Sequence, residues 1–87
     1  SEVVVVEMPE AREGMAFALL TVHDDEGPFP PVFLSEEMAD FWLRDTDIPF
    51  RKTTVGTRVL IHCLRAINLR AVLHSGADRM VFRPQPD

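Results

Sequence analysis

Four consecutive valines, Val3 to Val6, stand between Glu2 and Glu7 near the start of the chain. β-Branched residues favour extended backbone, so the run predicts a strand. It has no polar position, and such a strand is either covered on both faces or an apolar edge that seeks a partner chain. Glu10 to Gly14 read as a polar connection, and Met15 to Val22 form a second apolar run of strand length that pairs with the first as a hairpin. His23 to Pro31 follows as a loop, because Gly27 with Pro28, Pro30 and Pro31 is poor material for a hydrogen-bonded ladder. Val32 to Leu34 make a short third strand.

From Ser35 the period changes, with Met38, Phe41 and Trp42 at i, i+3 and i+4. That spacing gathers a methionine and two aromatics on one helical stripe, which is expected to close onto the core. Ser35 is the expected N-cap, with Glu36 and Glu37 beside the positive helix end. The helix ends near Arg44-Asp45, and Phe50 to Thr53 give another short strand. Thr53 or Thr54 is expected to cap a second helix over Val55 to Asn68, where Val59, Leu60, Cys63, Leu64 and Ile67 share a broad apolar face. Asn68 suits its C-terminal cap. Leu69 to His74 and Met80 to Phe82 read as two strands joined by a turn, Ser75-Gly76-Ala77-Asp78. The order β-β-β-α-β-α-β-β predicts an α+β fold: one small domain over residues 1–87, with a mixed sheet of five to six strands and two helices.

Composition sharpens this picture by exclusion. At 46% hydrophobic and 26% charged residues the chain is globular in character, and 87 residues support a single core. Fourteen acidic against nine basic residues give a net charge of −5, which disfavours a phosphate backbone as partner. Arg79 and Arg83 could share a face of the last strand, but two arginines there read as a solvated edge. One cysteine, Cys63, allows no internal disulfide and fits a reducing compartment, so the expected location is the cytoplasm. No apolar run is long enough to predict a membrane span or a signal segment.

Candidate chemistry is sparse. The loop His23-Asp24-Asp25-Glu26 holds oxygen and imidazole ligands for a divalent cation, although it lacks the pattern of an EF-hand and reads more simply as a solvated turn. His23, His62 and His74 show no short metal-ligand spacing. Cys63 lies in the middle of an apolar stripe, away from the helix end that would activate a thiol. Lys52 to Thr57 has neither the glycine spacing nor the order of a phosphate loop. Ser35 lacks the flanking glycines of a nucleophile elbow. No catalytic residue and no cofactor is therefore expected, and the remaining binding candidates are His74, Ser75, Asp78 and Arg79 around the last turn.

The segment Pro31-Val32-Phe33-Leu34-Ser35, followed by an acidic helix bearing aromatics, a short strand, a second helix and an apolar strand, resembles the N-terminal domain of the SseB-like (enhanced serine sensitivity) proteins. Those domains commonly carry a Pro-Val-Phe-Thr-Ser-like segment, and the resemblance spans roughly Met15 to Phe82. Where family members often show an Asn-Pro-Gly-like turn, this chain has His74-Ser75-Gly76-Ala77. The resemblance implies an α/β fold without established catalytic residues. The expectation is thus a non-enzymatic protein-interaction or regulatory module, with a protein partner or self-association as a homodimer, motivated by the valine strand and by Phe29 and Phe33 flanking Pro30-Pro31. The alternative is a small-ligand or divalent-metal-binding accessory domain that uses the His23 to Glu26 loop.

Overall fold

A computed structural model of the chain describes residues 1–9, 19–76 and 78–85. Strand β1 (Glu2–Glu7) lies inside a five-stranded sheet of order β5-β1-β4-β6-β7, with β4 (Pro31–Phe33), β5 (Arg51–Gly56), β6 (Ala71–Ser75) and β7 (Asp78–Phe82). Its position settles the character of the valine run. Side chains alternate along a strand, and Val3 and Val5 join one core cluster with Val32, Val55 and Ala71, while Val4 and Val6 join another with Phe33. Helix α2 (Thr57–Ile67) closes the first cluster through Leu60 and Leu64, and helix α1 (Glu36–Trp42) closes the second through Ala39. Both faces of β1 are covered, so an uninterrupted apolar strand is what the position requires.

The α+β class, the two helices and the mixed sheet follow the predicted order. Pairing is antiparallel at β1–β4, β1–β5 and β6–β7, and parallel at β4–β6, where Phe33 stands beside His74. The predicted connection over residues 10–14 and the start of the predicted strand, residues 15–18, lie outside the described residues. The end of that run does approach β1 in antiparallel sense, through a bridge between Leu19 and Glu7 and a hydrogen bond from the Leu20 amide to the Val6 carbonyl at 2.8 Å.

Four local expectations need correction. His23 to Pro31 is not a loop throughout: β2 (Val22–Asp24) and β3 (Gly27–Phe29) form a two-stranded ribbon. Its turn residues Asp25 and Glu26 leave Asp24 facing Gly27, which takes φ +108°, and the Glu26 amide donates to Asp24 Oδ1 at 2.8 Å. A two-residue hairpin closes on a hydrogen-bonded pair and places a non-hydrogen-bonded pair next. Pro28 occupies that second pair, opposite His23, so its missing N–H removes no rung. Second, Phe50 to Thr53 understates β5, whose full length pairs with β1 from Arg51 to Gly56. Third, Thr53 and Thr54 therefore belong to a strand, and α2 begins at Thr57 with Gly56 as an N-cap that has no side-chain hydrogen bond. Fourth, only part of the α2 stripe is core, because Leu60 and Leu64 are buried while Val59 and Ile67 are exposed.

Two caps match expectation. Ser35 Oγ accepts from the Met38 amide at 3.3 Å, and Glu36 and Glu37 fill the first turn of α1. Asn68 ends α2 in the left-handed conformation, φ 54°, which asparagine tolerates better than most residues. Among the described residues no helix is long and apolar enough to cross a membrane.

Candidate functional site

Helix α1 is only seven residues long, and it packs on β1 and β4. It buries Ala39, and the stripe closes onto the core only in part: Met38 is half-buried against the cluster of Val4, Val6 and Phe33, while Phe41 and Trp42 are left exposed. Phe41 is 67% exposed and Trp42 38% exposed. Together with Glu37 and Met38 they form one wall of a cavity of about 500 Å³. The floor and the opposite wall come from Phe33, His74 and Gly76. Phe33 ends β4 and His74 lies near the end of β6, so the cavity opens at the carboxyl ends of the described parallel strand pair. Clefts at that end of parallel strands are where α/β sheets place ligands, because the chain leaves the sheet there and the loops diverge.

Three rings meet at this place. Phe33 and His74 are stacked with centroids 5.1 Å apart, and Trp42 is tilted against both, at 5.7 Å from Phe33 and 6.1 Å from His74. These distances lie in the attractive range for aromatic pairs. Phe33 is fully buried and fixes the geometry. Nε2 of His74 is buried without a hydrogen-bond partner among the described protein atoms.

Burial, and secondarily the Arg79 guanidinium, hold His74 below its ordinary pKa of 6.5. The facing charges are Arg79, its register partner on β7, and Glu37 across the cavity. Since the folded pKa is depressed, the unfolded chain takes up this proton first on acidification. Stability from this group is complete above pH 6.5 and is lost as the pH falls from 6.5 to the folded value. Urea unfolding on either side of pH 6.5 should show a lower midpoint on the acid side, and His74→Phe should flatten that difference. An equal slope in wild type and variant would contradict the assignment. Asp24, whose pKa is lowered from 3.8, contributes only in a more acidic range.

Of the candidates His74, Ser75, Asp78 and Arg79, only His74 is among the cavity's lining residues, together with Gly76 of the same turn. Ser75 pairs with Asp78, and Arg79 with His74, on the hairpin of β6 and β7, with Asp78 and Arg79 exposed at the sheet edge. The acidic loop is turned to another task. Asp24 forms an ion pair with Arg70, which is 4% exposed and donates to the Gly27 carbonyl at 2.9 Å, with Glu26 at 3.6 Å. The guanidinium also lies 4.7 Å from the centroid of the Phe29 ring. The Glu26 amide foremost, and Arg70 against the opposing effect of desolvation, keep the Asp24 carboxyl below its usual range. His23 and Asp25 are exposed on the ribbon. Among the described residues no three histidine, cysteine or acidic side chains gather as a metal-binding group. His62 is exposed on α2, Cys63 is half-buried there, and Lys52 pairs with Asp40.

Sequence reasoning placed His74 among the candidates and missed Trp42, Phe41 and Glu37. Their signal was a helix of only two turns carrying two adjacent aromatics, more apolar surface than so short an element can bury. Phe29 and Phe33, which flank Pro30-Pro31 and helped motivate the interaction reading, are both buried. Compared with models of protein families, with curated proteins and with solved structures, the chain matches none.

Proposed function

We propose that this domain is a non-enzymatic binding module that recognises a partner protein through the cavity beside α1. The observation that carries this reading is the open apolar cavity of about 500 Å³ walled by Phe41 and Trp42. Leaving large aromatic surface in water is unfavourable by about 25 cal/mol per Å², and that cost is recovered when a partner's side chain fills the site. The size lies within the range of ordinary ligand sites. Phe33 and His74 give it a rigid floor, so little ordering is needed on binding.

The test uses a small neutral probe, 3,3-dimethylbutan-1-ol, and the indole resonance of the single tryptophan, Trp42. Titration should shift the Trp42 and His74 signals saturably, and Trp42→Ala should abolish the His74 response while the amide spectrum of the sheet persists. Absence of any shift at Trp42 and His74 with tens of millimolar probe would overturn the reading.

A further inference from the structure

The cavity beside α1 has a chemical bias beyond being apolar. Its rings are Phe33, Phe41, Trp42 and His74, one carboxylate, Glu37, stands in its wall, and among the described residues no lysine or arginine lines it. Ring faces carry negative potential, so aromatic walls attract a cation, most strongly where water is excluded. Trp42 packs tilted against the stacked pair Phe33–His74, by 59° to Phe33 and 54° to His74, so a stack of two rings and a third ring at an angle to it border the cavity. Glu36 stands beside Glu37 on α1 and the chain carries a net charge of −5, with Lys52 near Glu36 held in an ion pair with Asp40 outside the lining. Phe41 already takes a cation on its ring, the Arg44 guanidinium at 4.0 Å from the centroid.

We propose, resting on the binding-module reading above, that the cavity is an aromatic cage for a methylated lysine side chain of a partner protein. The methylated ammonium sits against Trp42, Phe41 and His74 with Glu37 supplying the counter-charge, and Met38 lies along the alkyl stem. Methylation matters because a quaternary ammonium gives up little hydration when it enters an apolar site, unlike a bare ammonium, which is strongly hydrated. Burial helps by keeping His74 neutral at pH 7, so that its ring adds no positive charge to the cage. Arg79 faces His74 from β7 and does not line the cavity.

Four probes decide the matter by calorimetry or ligand-observed NMR. They are a short glycine-serine peptide with one trimethyl-lysine, the same peptide with the neutral tert-butyl carbon isostere, the same peptide with unmodified lysine, and free choline. The trimethyl-lysine peptide should bind about tenfold more tightly than the isostere, and more tightly than unmodified lysine and choline. Glu37→Gln, an exposed position that leaves the fold intact, should weaken the trimethyl-lysine peptide severalfold and leave the isostere unchanged. Trp42→Leu, with folding verified by the amide spectrum, should erase the preference for charge. Equal binding of isostere and trimethyl-lysine overturns the cage while leaving a plain apolar module. Choline binding as tightly as the peptide overturns the lysine-bearing partner, and failure of every probe overturns both readings.

Discussion

Leu64→Ala should lower the unfolding free energy by about 2–5 kcal/mol, the range for truncating a buried leucine to leave a cavity. Leu64 is fully buried in the cluster that joins α2 to Val5, Val32 and Ala71. A domain of this size has only about 5–10 kcal/mol in all, so the loss is a large part of the whole. At roughly 4–8 °C per kcal/mol for such a domain, the melting temperature should fall by at least about 8 °C. The informative control is Ile67→Ala. Ile67 lies on the same predicted stripe, three residues further along α2, yet it is 54% exposed, and its truncation should cost well under half as much. Urea unfolding of the two variants measures the difference. Equal losses would mean that α2 is seated on the sheet by another face.

Arg70→Ala should destabilise by about 2–3 kcal/mol and should do so locally. The guanidinium is the link between the ribbon β2–β3 and the main sheet: it meets Asp24, the Gly27 carbonyl and the ring of Phe29. Its removal leaves the Gly27 carbonyl without that donor and opens a void beside Phe29, which is buried. The effect stays below the upper range for broken buried ion pairs because Asp24 and Glu26 remain solvated, with 39% and 74% of their side chains exposed. Hydrogen exchange should therefore speed at the amides of β2 and β3 while β1 and β4 keep their protection. Uniform acceleration throughout the sheet would show that Arg70 supports the whole core and not the ribbon alone.

The contrast between the ribbon held by Arg70 and the caps and buried leucines of the two helices shows what kinds of fact are written locally. Asn68 and Ser35 act through their own backbone neighbours, so residue type and position suffice to identify them as caps. Leu60 and Leu64 recur with the helix period and meet the sheet as that period implies. The ribbon is not legible from residue type, because the effect of its prolines depends on pairing: Pro28 falls where no ladder bond is made, a matter of register. The role of Arg70 likewise requires Asp24 and Gly27, more than forty residues away in sequence.

By itself, the sequence determined the α+β class, the two helices, the strand character of Val3 to Val6 and the caps at Ser35 and Asn68, because each follows from local backbone preference or from a short apolar period, whereas burial of that strand on both faces follows from its place between β5 and β4. Tertiary structure alone decided which apolar residues became core and which became a site. A stripe such as Met38, Phe41 and Trp42 records only that a helix has an apolar side; whether that side is buried depends on the extent of the layer beneath it. Here α1 packs on β1 and β4, Trp42 leans on His74 of β6 and Phe41 stays exposed, and these rings border the cavity.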